Sequence, residues 1–146
     1  MLFNRPADVI IVGSGLLGAS LAGTLCIQGY HVIIIDLNGD SFRKLPESFN
    51  GFEVIGNGTD IDLLERAGIN NAYMVIAATD SDNTNSLIAQ IASRIYDVNR
   101  VFVSFNDAEK ENLIDGFNIE VICPFKLSIH EFERLNSLEL REATRG

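Results

Sequence analysis

The chain has 146 residues, 47% of them hydrophobic and 21% charged, with 11 Lys and Arg against 20 Asp and Glu for a formal net charge of −9. That composition describes one globular domain with a sizeable core and leaves no room for the second domain of an ordinary two-domain enzyme. The acidic balance excludes nucleic acid as the expected partner, because phosphate backbones are held chiefly by Lys and Arg.

The 22 positions from Val9 to Tyr30 carry no charged side chain, about the length of a membrane span. Five glycines interrupt that run, and a short strand followed by a packed helix explains them better than a span or a signal segment. Val9-Ile10-Ile11-Val12 reads as a strand buried on both faces, as in parallel sheets. GSGLLG follows at once, and a helix is predicted over residues 16–28 with Gly29 as its stop signal. A second strand is predicted over 31–35, closed by Asp36, and a short helical stretch over 41–45, interrupted by Pro46. The third strand, 52–55, leads through GNGTD into a short helix over 60–67, where Thr59 is placed to cap a backbone N–H.

A fourth strand over 73–78 runs into TDSDNTN and a helix to about residue 96, whose apolar positions Leu87, Ile88, Ile91, Ala92 and Ile95 describe one buried face. Strands over 101–105 and 119–123 flank a helix over 107–115, and a last helix covers about 126–135. Residues 1–136 read as the domain. Residues 137–146 lose apolar periodicity after Leu140 and read as a terminal tail or a cut connection. Strand and helix alternate throughout, which predicts an α/β fold: a doubly wound sheet of about six mainly parallel strands with helices on both faces.

A GxGxxG pattern alone is weak, but here it follows a strand, opens a helix and is answered by an acidic residue at the end of the second strand. Gly13 permits the tight turn, Gly15 lets backbone approach a phosphate, and Gly18 lets the helix pack closely on the strand. The phosphate would then meet free N–H groups at the positive end of that helix. Asp36 is placed to accept hydrogen bonds from ribose hydroxyls, and its charge repels the 2′-phosphate of NADP. Asn57 in GNGTD and the Thr79-Asp80 pair fall at the same sheet edge. Asn57 can donate to and accept from an adenine edge, while Thr79 or Asp80 can line the crevice or simply cap the next helix.

Catalytic constellations are missing. His31 reads as structural, and His130 has no partner at metal-ligand or triad spacing. Asp80, Asp82, Asp107, Glu109 and Glu111 read as solvated helix starts favoured by the helix dipole, against a cation cluster as the alternative. Cys26 and Cys123 lie far apart without CxxC spacing or a nearby His, which suggests a reduced, cytoplasmic setting and neither zinc nor a disulfide.

Taken together, GSGLLG, the Asp36 strand end, GNGTD followed by LLERAGI, YMVIAATDSDNTN and CPFKLSIHEF resemble the KTN or RCK nucleotide-binding domain, the TrkA N-terminal domain, over about residues 8–135. The resemblance implies a Rossmann-type, cytoplasmic, non-enzymatic subunit that dimerises, binds NAD(H) or an adenine nucleotide, and controls a membrane-embedded potassium transporter or channel from its inner face. Carried across residue by residue, it implies phosphate contacts at Gly13, Ser14, Gly15 and Gly18, with Leu16 and Leu17 of the same turn also among the cofactor-binding residues, ribose at Asp36, adenine at Asn57 and Gly58, and a closing loop at Thr79 and Asp80. Leu16 and Ser104 stand where many members have cations. The phosphate site is therefore expected to rely on backbone N–H groups, which ranks NAD or AMP/ADP above ATP. Members commonly continue into a second, smaller lobe; this sequence reads as the first lobe alone, a minimal subunit or a piece of a longer chain. An NAD-dependent oxidoreductase fragment and a ligand-free structural domain are the contrasting readings.

Overall fold

The computed structural model describes the backbone of residues 7–145 and the side chains of residues 7–138. Six strands form one sheet: β1 (Val9–Val12), β2 (Val32–Asp36), β3 (Phe52–Ile55), β4 (Met74–Ala77), β5 (Arg100–Ser104) and β6 (Glu120–Ile122). Their order is β3-β2-β1-β4-β5-β6, and every neighbouring pair is parallel.

β1 is central, and its side chains show why a continuous β-branched run was needed. Val9 and Ile11 enter one core layer with Val32, Ile34 and Ile76; Ile10 and Val12 enter the other with Ile33, Ile35 and Val75. The first layer is covered by helix α1 (Leu16–Ile27), through Ala22, Leu25 and Cys26, and by a 3-10 turn, Gly39–Lys44, through Phe42. The second is covered by α2 (Ile61–Ala67) through Leu63 and Leu64, and by α3 (Asp82–Gln90) through Ile88 and Ala89. The uncharged run from Val9 to Tyr30 is thus a buried strand, a glycine turn and a helix; among the described residues no helix is long and apolar enough to cross a membrane.

From β1 the chain lays β2 and β3 to one side, then crosses to lay β4, β5 and β6 on the other. At such a reversal the connections diverge, and a crevice opens beyond the carboxyl ends of β1 and β4.

Several elements depart from their predicted form. Residues 41–45 and 107–115 were expected as helices and are 3-10 turns, Gly39–Lys44 and Ala108–Ile114, each entered through a side-chain cap at Asn38 or Asp107. α3 ends in a π turn, Ile91–Ile95, and of the face expected to be buried Ile88, Ile91 and Ala92 are buried while Leu87 and Ile95 are exposed. The last helix, α4 (Pro124–Arg145), continues well past residue 135, through most of the stretch expected as a tail. No Gly or Pro interrupts it after Pro124, and Glu131 pairs with Arg134 one turn apart.

Tyr96, at the end of the π turn, donates its hydroxyl proton to Glu65 Oε1 at 2.7 Å and so ties α3 to α2. This bond, with burial and the nearby Glu65 and Asp62 charges, pushes the phenol from 10 up to about 12. The unfolded chain therefore gives up its proton first, so the stability from this bond is intact below pH 10 and is lost as pH rises through about 12. In a spectrophotometric titration, with the Tyr96 transition assigned by Tyr96→Phe, Glu65→Ala should return that transition to near 10; an unmoved transition would count against the bond.

Candidate functional site

A cleft of about 560 Å³ opens at the carboxyl edge of the sheet. It is lined by Gly13, Gly15, Leu16, Leu17, Asp36, Asn57, Gly58, Thr79 and Asp80 of the predicted site, brought together from four strand ends. Ser14 and Gly18 do not line it.

The glycine turn is shaped by contact. Gly13 has φ 107°, and a Cβ there would lie 2.3 Å from the Ala78 carbonyl oxygen. A Cβ on Gly18 would lie 1.9 Å from the Gly13 carbonyl oxygen, so α1 can rest on the turn only if residue 18 has no side chain. Around Gly15 nothing lies within 4 Å of a built Cβ, which leaves the space above it open to a ligand. α1 starts at Leu16 with no side-chain cap and no acidic residue in its first turn. The first N–H groups of a helix have no acceptor within it, so those of the Gly15-Leu16-Leu17 segment face the cleft with the positive end of the helix behind them.

Ser14, expected as a phosphate contact, is held by other partners in the structure. It is fully buried; its N–H donates to Asp36 Oδ2 at 2.7 Å and its hydroxyl to the Ser41 carbonyl at 3.2 Å. Gly18 likewise acts through packing. Asp36 also accepts the Asn38 N–H on Oδ1 at 2.8 Å, so one carboxylate braces both the glycine turn and the turn after β2. Each oxygen keeps a second lone pair, which is what hydroxyl donors from a ribose require.

Asn57 Oδ1 accepts from Thr59 N at 2.9 Å and from Thr59 Oγ1 at 2.7 Å. Both lone pairs are taken, so toward an adenine edge Asn57 can offer its amide N–H but not its oxygen. Thr59 is thus spent on Asn57, and the cap of α2 is Asp60, which accepts from Asp62 N at 3.0 Å. Gly58 is buried, its built Cβ 2.3 Å from Val12 Cγ1, so the loop lies against the end of β1.

Sequence reasoning missed the group that holds the right-hand wall. Asn85, 1% exposed, accepts from Thr79 N at 2.8 Å and Thr79 Oγ1 at 2.6 Å, and donates to the Thr79 carbonyl at 3.1 Å and the Ser104 carbonyl at 2.9 Å. It ties the loop after β4 to the end of β5. Asp82 is a buried partner in this, accepting from Asn106 N at 2.8 Å and Asp107 N at 2.9 Å, and is no solvated helix start. The cap of α3 is Ser81, not Thr79 or Asp80. Asp80 is left exposed at the cleft. The signal for Asn85 was present in TDSDNTN, where a polar residue sits on the face that should be buried.

The cleft was also expected to lack a cation. Leu16 and Ser104 do line it, and Leu16 is 80% exposed, but Lys44 from the 3-10 turn lines it as well. Thr84, Asn106 and Pro124 complete the wall beside Ser104. Among the described residues no group of three or more His, Cys, Asp or Glu could hold a metal ion.

A parallel sheet in this order, with a glycine turn and an acidic strand end meeting at its reversal point, defines a Rossmann-type α/β domain. The sequence matches the TrkA-N domain over residues 9–124, and the chain belongs to that family. It is 32% identical over 126 residues to the Trk system potassium uptake protein TrkA of Streptomyces coelicolor, covering 86% of this chain and 56% of that protein. With TrkA of Vibrio alginolyticus it shares 33% identity over 134 residues, 87% of this chain and 29% of the other. This chain thus spans about half or less of these relatives. Among solved structures, the Kef CTD of Shewanella denitrificans in its AMP-bound form superposes with TM-score 0.65 at 24% identity, covering 89% of this chain and 80% of that one. The GsuK channel bound to NAD gives 0.68 at 17% identity, covering 85% and 22%. At such identities these two superpositions establish the shared fold.

Asn85→Ala removes the acceptor of a partly buried N–H and the donor of two carbonyls, which should lower stability by about 2 kcal/mol. In urea denaturation the midpoint should fall with the slope unchanged; a midpoint equal to wild type would mean the network is not holding the two loops.

Proposed function

We propose that this chain is a regulatory nucleotide-binding module, in which NAD or AMP/ADP occupies the cleft and controls a membrane-embedded potassium transporter or channel. One observation carries the reading: an uncapped helix start and the Asp36 carboxylate face the same cleft at the sheet reversal. The first suits a phosphate and the second a ribose, the two ends of an adenosine nucleotide. Relatives named as potassium uptake proteins, and fold neighbours solved with AMP and with NAD, support the ligand class and the setting. ATP is the poorer fit, since Leu16 and Ser104 give a longer phosphate chain no charge. The module works by binding and not by catalysis, at the cytoplasmic face of the membrane through its partner.

A switch requires two protein geometries with different affinities for the ligand. A homodimer supplies them in this reading. Its support is α4, where Phe125, Leu127, Phe132 and Leu135 are all more than half exposed. Large apolar side chains left exposed on one helix are the material of interaction sites.

Thermal denaturation with NAD, NADP, AMP, ADP and ATP tests the ligand. Ligand at 100 times its Kd should add about 2.7 kcal/mol of stability. NAD or AMP/ADP should shift the midpoint most, NADP less than NAD, and Asp36→Asn should shrink the NAD shift. If no nucleotide moves the midpoint, the sensor reading fails; an NADP shift equal to that of NAD would remove the role given to Asp36. For the assembly, light scattering should give twice the chain mass for wild type and a single chain for Phe132→Asp with Leu135→Asp. A monomeric wild type would end the α4 dimer.

A further inference from the structure

Among the described residues that line the cleft, Lys44 is the sole cation, facing two carboxylates, Asp36 and Asp80. Without it every charged side chain lining the cleft would be negative, in a chain already at −9. The lysine is also uncommitted. Neighbouring Arg43 faces Asp40 at 3.7 Å, and Lys44 has no ion pair among the described residues.

Its position is set by the turn that carries it. A 3-10 turn repeats every three residues, so Ser41 and Lys44 stack on one face of Gly39–Lys44. Ser41 also lines the cleft, and its backbone carbonyl accepts the Ser14 hydroxyl at 3.2 Å, which fastens the turn beside the glycine loop. At its entry, Asn38 caps Asp40 N at 3.0 Å and is itself held by Asp36 at 2.8 Å. The turn is thus braced at two points against the elements that suit phosphate and ribose. A lysine stem of four methylenes reaches from such a base while its ammonium stays in water.

We propose that Lys44 is the specificity-determining residue that lets this acidic cleft accept a phosphate, pairing with the 5′-phosphate of a bound adenosine nucleotide over the start of α1. The inference rests on the nucleotide reading of the cleft. It places the phosphate's charged partner on the turn after β2, where the sequence alone offered only backbone N–H groups. The 5′-phosphate is preferred over a 2′-phosphate because Asp36 stands at the ribose and repels an anion there.

Calorimetric titration of the full chain with adenosine, 5′-AMP and 2′-AMP tests this, for wild type, Lys44→Ala and Lys44→Arg at low and high salt. Lys44→Ala should weaken 5′-AMP about tenfold, the scale of one charge-assisted contact, and flatten its salt dependence. Adenosine binding should not change, and Lys44→Arg should keep most of the 5′-AMP affinity. The proposal is overturned if Lys44→Ala leaves 5′-AMP unaffected, weakens adenosine in proportion, or acts on 2′-AMP alone. If wild type binds none of the three, the nucleotide reading of the cleft falls first and takes this inference with it. Lys44 is exposed, so the variants should fold, and circular dichroism confirms that independently.

Discussion

Only a hydrogen atom fits between the α-carbon of residue 18 and the carbonyl of Gly13, where a Cβ would come within 1.9 Å of the oxygen. That contact lets α1 begin directly above the end of β1 and lie close along the sheet, so that Ala22, Leu25 and Cys26 can pack on Val9, Ile11 and Ile34. The same contact aims the start of the helix at the crevice between β1 and β4. Core packing and the electrostatics of the cleft are therefore one constraint: the close approach that buries apolar surface also exposes the uncapped N–H groups to whatever enters.

Asp36 carries the second part of the design. Its carboxylate accepts two backbone N–H groups, from Ser14 and Asn38. It is a structural brace that couples the glycine loop to the turn bearing Ser41 and Lys44. Asn85 does the corresponding work across the cleft, where its amide joins the loop after β4 to the end of β5. Both are polar groups satisfied internally, which fixes the walls without relying on a bound molecule.

The charge pattern has a clear local consequence. A strongly acidic chain can hold an anion only where its own carboxylates are offset, and the cleft offsets Asp36 and Asp80 with helix N–H groups and one lysine. Elsewhere several acidic groups serve the fold: Asp60 and Asp107 cap turns of backbone, and Asp82 holds the loop that follows β5. α4 is different in kind, since its apolar side chains remain exposed.

The order of strands and helices, the glycine turn and the acidic strand end were legible in the sequence, because each follows from local rules: β-branched runs buried on both faces, a turn that demands positive φ at Gly13, a strand that ends on a carboxylate. The caps were not legible. GNGTD and TDSDNTN each hold several residues able to cap, and which one does depends on how the chain enters the helix, so Asp60 and Ser81 took the places given to Thr59 and to Thr79 or Asp80. Nor could the sequence tell that Ser14 faces inward or that Lys44 faces the cleft, since Ser14 is matched to Asp36 and Ser41 from 22 and 27 residues away. Sequence by itself determined the Rossmann-type architecture, which spacing and residue shape specify within each element. Only the tertiary structure decided which polar groups are used up in bracing the cleft and which remain to meet a ligand, because that division is set by contacts between elements distant along the chain.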